Sequence, residues 1–241
     1  MADINEVPTS SAPTASEEQR EDRPQRESPA RILLIRHGLN DYVKERRLAG
    51  RTPGVHLNEE GRIQVEALAE RLSATSIAAV YSSPLERARE TAEPLAARLG
   101  LAAQILEGAT ESGSGDWTGR LIEELSKGDL WRQVQVCPSA FRFPAGESFA
   151  EIQARMVATL DGLWAAHPGQ TVAMVSHADP IKLAVAFYTG VPLDLFQRFV
   201  VAPASITELE FTAFRPLLVR LNDTAHLPAA HVSLEAERKG Q

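Results

Sequence analysis

The sequence predicts an α/β fold: a three-layer α/β/α sandwich in which helices cover both faces of a mostly parallel sheet. Short, almost continuously apolar runs alternate along the chain with segments whose apolar residues recur every three or four positions. Continuous apolar runs are typical of strands that are buried on both faces, and their alternation with helices is typical of an open α/β sheet.

Six apolar runs are predicted to form the strands. The first run stops abruptly at Arg36-His37-Gly38, and the fourth ends at His177. The last two runs are separated by only a few residues, so they are expected to pair as a hairpin. In chain order the runs are 31–35, 77–81, 101–106, 171–176, 206–211 and 217–221.

Residues that start and stop helices delimit four helices between these strands. Asn58 is expected to cap the first, and Ser83 and Ser148 each begin a capping-box pattern with a glutamate three residues later. Asp179 is expected to cap the fourth helix. Gly190 ends that helix, because glycine readily adopts the left-handed conformation found at helix ends.

Composition separates a central body, residues 31–225, from two polar ends. Residues 1–30 hold seven acidic side chains, three arginines and four prolines but no aromatic side chain. Such a segment buries too little apolar surface to offset the entropy lost on ordering, so we expect it to be disordered. Residues 226–241 are also polar and are expected to form a flexible tail.

Charge, hydropathy and cysteine content exclude several classes of partner. The formal net charge of −7 argues against a nucleic-acid partner, which needs a basic surface. No apolar run approaches the roughly 20 residues of a membrane helix, so no membrane partner is expected. The single cysteine, Cys137, excludes an intrachain disulfide and favours a reducing, cytoplasmic compartment.

The motifs of common cofactor sites are absent from the sequence. The histidines lack the spacing of metal ligands, and neither a phosphate-binding loop nor a dinucleotide fingerprint occurs. We therefore predict no metal and no organic cofactor. The sequence leaves open whether the chain forms a homodimer.

Polar side chains suited to an anion follow three of the predicted strands. Arg36 and His37 follow the first strand, Arg87 lies in the first turn of the helix after the second, and His177 ends the fourth. Ligands of open α/β sheets bind beyond the carboxyl ends of the strands, so we expect these side chains to meet. Arginine binds phosphate through two parallel hydrogen bonds, and histidine is a nucleophile that titrates near neutrality. Each feature alone is weak, and their shared location predicts a phosphate site.

Seven ordered segments of the body resemble the histidine phosphatase superfamily, which includes the cofactor-dependent phosphoglycerate mutases. Their order and spacing make the resemblance more specific than any single motif. It runs from about Arg31 to Phe211 and implies a phosphoglycerate mutase-like fold. The segments are Leu34-Ile-Arg-His-Gly38, Glu45-Arg-Arg-Leu-Ala-Gly50, Leu57-Asn-Glu-Glu-Gly61, Tyr81-Ser-Ser-Pro-Leu-Glu-Arg-Ala-Arg-Glu-Thr-Ala92, Gly115-Asp-Trp-Thr-Gly119, Pro144-Ala-Gly-Glu-Ser148 and Val175-Ser-His177.

The resemblance implies a phosphohistidine mechanism. His37 matches the family's nucleophile, which attacks phosphorus and carries the phosphoryl group. Arg36 and Arg87 match the arginines that hold the phosphoryl oxygens, and His177 matches a second cationic or hydrogen-bonding partner. This assignment agrees with the chemistry, because phosphoryl transfer depends mainly on positioning and on stabilising spread negative charge.

The resemblance also implies an acid/base carboxylate. Glu111 lies where the family keeps this group, which protonates the leaving oxygen and then activates water. A carboxylate that faces a phosphate dianion should have a raised pKa, as an acid requires. Asp116 is the alternative for this role.

Contacts to the substrate are expected from the backbone around Gly38 and Ala178 and from the side chain of Asn40. The sequence departs from the family pattern nearby, because Val43 replaces a usual asparagine and Ala178-Asp179 replaces a usual pair of glycines. These departures concern the identity of the substrate and leave the reacting residues in place.

Together these residues predict a metal-independent phosphomonoesterase acting on a small phosphorylated metabolite. A bisphosphoglycerate-dependent mutase is the main alternative, since it uses the same phosphohistidine. Mutases of the family shield that intermediate with extra basic segments, whereas residues 107–143 hold only four basic side chains, which favours hydrolysis. A non-catalytic phosphate-binding module is disfavoured because the positions of His37 and Glu111 are filled.

Overall fold

The computed structural model describes residues 29–228, whose six strands form one sheet. The strands are β1 (Ala30–Arg36), β2 (Ala79–Ser82), β3 (Ala103–Ile105), β4 (Thr171–Ser176), β5 (Ile206–Phe211) and β6 (Pro216–Asp223). Their spatial order is β3-β2-β4-β1-β5-β6. The first four strands run parallel, and β5 is antiparallel to both of its neighbours. The predicted hairpin of the last two strands is confirmed.

Seven α-helices accompany the sheet in residues 29–228. They are α1 (Asp41–Lys44), α2 (Glu59–Leu72), α3 (Glu86–Arg98), α4 (Ile122–Leu125), α5 (Asp129–Val136), α6 (Phe149–Ala166) and α7 (Ala178–Thr189). Short 3-10 helices occur at Glu107–Ala109, Gly115–Trp117, Pro138–Ala140 and Leu193–Arg198. None of the helices in this part of the chain is long and apolar enough to cross a membrane.

Side chains of β1 alternate between two hydrophobic cores, one on each face of the sheet. Ile32 and Leu34 pack against α6 and α7, whereas Leu33 and Ile35 pack against α2 and α3. Because both faces are covered by helices, the strand needs apolar residues at every position. The three-layer α/β/α fold predicted from the sequence is therefore confirmed. The helix residues of these cores include Met156, Leu160, Ile181 and Val185 on the first face and Leu68, Leu72, Ala88 and Leu95 on the second.

A third core joins the sheet domain to a segment that we call the cap, residues 115–143. It is rich in aromatic side chains: Trp117, Phe141 and Phe143 of the cap pack with Phe149 of α6 and with Phe196. The ring centroids of Phe149 and Phe196 lie 4.9 Å apart, and those of Phe141 and Phe143 lie 5.0 Å apart. The cap is thus fixed to the body by packed rings.

Three of the predicted helix ends are confirmed. The Asn58 side chain accepts a hydrogen bond of 2.9 Å from the Gly61 amide at the start of α2. Ser148 and Glu151 form both hydrogen bonds of the capping box of α6. Gly190 ends α7 with a φ of 72°, in the left-handed region.

Two predicted helix starts are wrong. The capping box at Ser83 does not form: α3 begins at Glu86, and its N-cap Leu85 makes no side-chain cap. The Ser83 hydroxyl instead hydrogen-bonds the His177 ring. Asp179 is not a cap either, because α7 begins at Ala178 with His177 as its N-cap.

The expectations for the two ends fall largely outside the described residues. Residues 1–28 and 229–241 lie there, so their predicted disorder and flexibility stay predictions. Within the described part, Ala30 belongs to β1. The His226 ring donates to the Ala204 carbonyl at 3.0 Å, and Leu227 is buried. The folded body therefore extends slightly beyond the predicted limits of 31 and 225.

We expect Gly61→Ala to destabilise the protein. An added Cβ would lie 2.0 Å from the carbonyl oxygen of Leu39, so α2 would have to move away from the loop after β1. Overpacking of this kind costs about 1–3 kcal/mol of unfolding free energy, measured by urea denaturation. Gly162→Ala is the control, because Gly162 lies in α6 with open space around it and should gain about 0.5–1 kcal/mol. An unchanged urea midpoint for Gly61→Ala would contradict this packing argument.

Candidate active site

The parallel pairing of β1 with β4 brings His37 and His177 together at the carboxyl edge of the sheet. Arg36 is aligned with Ser176, and the two histidines follow directly. The His37 amide donates to the Ser176 carbonyl at 3.0 Å, and the two ring centroids lie 5.1 Å apart. Both histidines are buried, with 3% and 0% of their surface exposed.

The His37 ring is held in a nucleophilic form. Its Nδ1 lies 2.7 Å from the Gly38 carbonyl oxygen. Because a carbonyl only accepts hydrogen bonds, Nδ1 carries the proton and Nε2 carries the lone pair. Burial, together with Arg87 and Arg36, holds the pKa of His37 well below its ordinary value, so the ring is neutral near pH 7.

The His177 ring is also neutral. Burial lowers its pKa well below the ordinary value, and the charge of Arg87 acts in the same direction. Its Nε2 lies 2.8 Å from the Ser83 hydroxyl oxygen, and its Nδ1 lies 3.7 Å from Oε2 of Glu111. With the Ser83 hydroxyl donating to Nε2, the proton of the neutral ring lies on Nδ1, which makes His177 a hydrogen-bond donor at the site.

Two arginines border the histidines. Arg87, in the first turn of α3, is fully buried and donates from Nη2 to the Gly50 carbonyl at 2.8 Å. Its Nε and Nη1 are buried and lack a hydrogen-bond partner within residues 29–228. Arg36 donates from Nη1 to the Val201 carbonyl at 2.6 Å. Buried charged donors are normally paired, so the open donors of Arg87 indicate a place for an anion.

Glu111 rather than Asp116 reaches this cluster. Its Oε1 accepts from the Ser112 amide at 2.8 Å, and its Oε2 lies 4.0 Å from Nη2 of Arg87. Burial raises the pKa of Glu111, and the charge of Arg87 only partly opposes this. Asp116 is exposed and does not line the cavity, so the geometry favours Glu111 as the proton donor.

Asn40 and Ala178, both predicted to contact the substrate, line the cavity. The Asn40 side chain is buried, and its Oδ1 accepts from the Val43 amide at 3.0 Å. This bond fixes the orientation of the amide group. Its Nδ2 is buried without a partner in the described part of the chain, so it is available to a phosphoryl oxygen.

Gly38 lies outside the residues that line the cavity. Its amide donates to the Thr91 hydroxyl at 3.0 Å, so that amide is already used. A Cβ at Gly38 would lie 2.9 Å from the Gly61 carbonyl oxygen. The structure thus assigns Gly38 to close packing against α2 and gives no contact for it in the cavity, in contrast to the sequence-based expectation.

The cavity above these residues has a volume of about 220 Å³. Trp131 and Phe143 of the cap form part of its wall, and α7 contributes Lys182. The lining holds five cationic side chains and two carboxylates: Arg36, Arg46, Arg47, Arg87 and Lys182, with Glu111 and Asp179. Between residues 29 and 228, no group of three or more His, Cys, Asp and Glu side chains is arranged to hold a metal ion.

Sequence reasoning missed several supporting residues. Ser176 donates to the Ala109 carbonyl at 2.7 Å, which ties the loop before Glu111 to β4. Ser176 directly precedes His177 in the segment Val175-Ser-His177, and this position could have indicated its role. Lys182 was detectable as a lone cation in an otherwise apolar stretch of helix.

Comparison with known proteins identifies the family of the chain. Residues 32–224 match the model of the histidine phosphatase superfamily, branch 1. The chain belongs to this superfamily. The resemblance drawn from the seven sequence segments is therefore confirmed.

Two relatives illustrate how far the similarity extends. The chain is 36% identical over 211 residues to the bifunctional protein Rv2228c of Mycobacterium tuberculosis, and the match covers 84% of this chain but only 56% of that relative. The chain thus spans little more than half the length of the mycobacterial protein. Phosphoserine phosphatase 1 of Hydrogenobacter thermophilus is 31% identical over 208 residues, with coverage of 84% and 96%.

A solved structure shows the same fold. A phosphoserine phosphatase mutant from Entamoeba histolytica, in complex with phosphoserine, superimposes with a TM-score of 0.75 at 25% identity. The match covers 83% of this chain and 100% of that chain. The fold predicted for the body of the chain is thereby confirmed.

We expect His37 and His177 to remain neutral at pH 6.5, where an ordinary histidine is half protonated. Both pKa values are lowered by burial and by Arg87, so the neutral form extends to more acidic pH. Nitrogen chemical shifts of the imidazole rings report the protonation state directly. In Arg87→Met both pKa values should rise, because a nearby positive charge is removed. A half-protonated His37 at pH 6.5 in the unaltered protein would contradict this account.

Proposed function

We propose that this chain hydrolyses small phosphomonoesters through a phosphohistidine formed on His37. The observation that carries the proposal is the Nε2 lone pair of a neutral, buried His37 beside the open guanidinium donors of Arg87. A nucleophile and unpaired donors for an anion in one cavity are what phosphoryl transfer requires.

In the first step, Nε2 of His37 attacks phosphorus. The N–P bond forms as the bond from phosphorus to the ester oxygen breaks. Arg36, Arg87 and His177 hold the phosphoryl oxygens, whose negative charge spreads in the transition state. Glu111, whose pKa is raised by burial, gives its proton to the leaving alkoxide, which departs as an alcohol.

In the second step, Glu111 acts as a base. Its carboxylate takes a proton from water, and the resulting hydroxide oxygen attacks phosphorus. The N–P bond breaks, the electron pair returns to Nε2 of His37, and inorganic phosphate leaves. Glu111 ends protonated and His37 ends neutral, so both residues are ready for the next substrate.

Hydrolysis is better supported than isomerisation. Two of the proteins reported above are named phosphoserine phosphatases. One is 31% identical to this chain, and the other has the same fold, with a TM-score of 0.75. The cap also holds few basic side chains with which to exclude water from a phosphohistidine. The cytoplasmic location and the independence from metals remain predictions.

We expect His37→Ala to abolish phosphate release, because the substitution removes the imidazole whose Nε2 attacks phosphorus. The measurement is phosphate released from an aryl phosphate and from 3-phosphoglycerate with a chelator present. The control is His56→Ala, since His56 is an exposed histidine paired with Glu90 outside the cavity.

Substantial release by His37→Ala would contradict the mechanism, and so would loss of release on chelation in the unaltered chain. Conversion of 3-phosphoglycerate to its 2-isomer in the presence of bisphosphoglycerate, without phosphate release, would indicate a mutase instead.

The cavity wall favours substrates that carry a second negative group, and we include this in the proposal. Lys182 lines the cavity, and only 10% of its side chain is exposed. Its ion pair with Asp179 is long, with 4.0 Å between Nζ and Oδ1, so the ammonium group can donate a hydrogen bond to an anion that lies closer. A carboxylate of the substrate suits this position.

We expect Lys182→Met to discriminate between two matched substrates, 3-phosphoglycerate and glycerol 1-phosphate, which differ by a carboxylate. Loss of a hydrogen bond to a charged group should lower kcat/KM for 3-phosphoglycerate about 10- to 100-fold. The value for glycerol 1-phosphate should change by less than about twofold. The control is Lys127→Met, which removes an exposed lysine that does not line the cavity. Equal losses on both substrates would argue against a carboxylate contact.

A further inference from the structure

The loop that carries Glu111 is held from behind by a polar network that we call the acid-loop clamp, formed by Arg51, Glu147 and Arg155. Oε2 of Glu147 lies 2.7 Å from Nη2 of Arg51 and 3.3 Å from Nη2 of Arg155. None of the three residues lines the cavity. The clamp therefore has no direct contact with a phosphoryl group bound there.

The two arginines of the clamp bind the backbone of the loop. Arg155, on α6, donates from Nη1 to the carbonyls of Gly108 and Thr110 at 2.8 and 2.9 Å. Its Nη2 also approaches the Glu111 carbonyl at 3.5 Å. Arg51 donates from Nε to the same Glu111 carbonyl at 2.9 Å. The planar guanidinium of Arg155 thus contacts three carbonyl groups within four residues of the loop.

Glu147 binds the loop backbone beyond Glu111, at Gly113. Its Oε2 accepts from the Gly113 amide at 2.8 Å. Although burial acts in the opposite direction, the Gly113 amide, Arg155 and Arg51 hold the pKa of Glu147 below its ordinary value, so it is ionised. An ionised carboxylate is the acceptor that the two arginines need.

The side chain of Glu111 has little support of its own. Its one hydrogen bond in the described part of the chain is to the neighbouring Ser112 amide. Its ion pairs to His177 and Arg87 are long, at 3.7 and 4.0 Å. The position of the carboxylate is therefore set mainly by the position of the backbone that carries it.

We propose that Arg155 and Glu147 are positioning residues that place the Glu111 carboxyl group at the leaving oxygen of the substrate. The inference rests on the proposed function, because it assigns Glu111 as the proton donor. A proton donor must lie within hydrogen-bond reach of the atom that it protonates. A misplacement of about 1 Å costs on the order of 100-fold in rate.

Loss of the clamp should affect two kinds of substrate differently, whereas a general loss of structure should affect both equally. An alkoxide leaving group needs a proton from Glu111, whereas 2,4-dinitrophenolate leaves without one. The value of kcat/KM covers only the steps up to cleavage of the ester bond. Loss of the clamp therefore lowers kcat/KM for an alkyl phosphate and spares it for 2,4-dinitrophenyl phosphate.

The test compares Arg155→Met and Glu147→Gln on these two esters. For 3-phosphoglycerate, kcat/KM should fall about 10- to 100-fold, mostly through kcat. For 2,4-dinitrophenyl phosphate it should stay within about threefold. Glu111→Gln should show the same selectivity to a larger degree. The control is Arg98→Met, since Arg98 also pairs with two carboxylates, Glu66 and Glu70, but on the surface of α2 and α3.

Amide hydrogen exchange across residues 107–113 provides a readout that does not depend on turnover. Exchange should accelerate there in Arg155→Met, with partial recovery in Arg155→Lys, which keeps the charge but not the fork of donors. Equal losses of kcat/KM on the two esters, or no loss on either, would overturn the inference. If the unaltered chain released no phosphate from either ester, the proposed function would fail, and unchanged exchange would independently reject the clamp.

Discussion

The burial of the Arg87 guanidinium is the constraint on which the rest of the site depends. A charge removed from water is costly unless it is compensated, and the nearest carboxylate, Glu111, lies 4.0 Å away. The Gly50 carbonyl takes one donor, while two others are unsatisfied in the described residues. The fold tolerates this deficit because the sheet, α2 and α3 are well packed around it. Under the proposed function, a phosphate dianion bound at this side chain compensates its charge, so substrate binding also offsets a cost of folding.

Burial also shifts the pKa values of His37 and Glu111, in opposite directions. Desolvation disfavours the charged form of any titratable group, so it lowers the pKa of His37 and raises the pKa of Glu111. Burial therefore favours the neutral form of both side chains: the unprotonated Nε2 of His37 and the protonated carboxyl group of Glu111. Hydrolysis by nucleophilic attack with acid assistance requires that pair of states. One physical cause, burial, thus shifts both side chains toward the protonation states that the proposed mechanism uses.

Local sequence patterns predicted most of the fold and the centre of the site. Apolar runs locate the strands, and the residues just after them meet because the ends of parallel strands share one edge. The capping box at Ser83 fails because a tertiary hydrogen bond to His177 competes for the same hydroxyl. Arg155 escapes prediction for a related reason: the carbonyl groups that it binds lie more than 40 residues earlier, and nothing in its own helix distinguishes it from a solvated arginine.

The aromatic core beneath the cap has a consequence for how substrates are selected. Rings from the cap, from α6 and from the chain after α7 interlock, so the cap cannot swing outward without separating packed surfaces. The part of the cavity wall that the cap forms is therefore stiff. A stiff wall discriminates by shape at first contact rather than by closing around whatever has bound. Under the proposed function, selection among substrates therefore depends on the individual side chains of the wall.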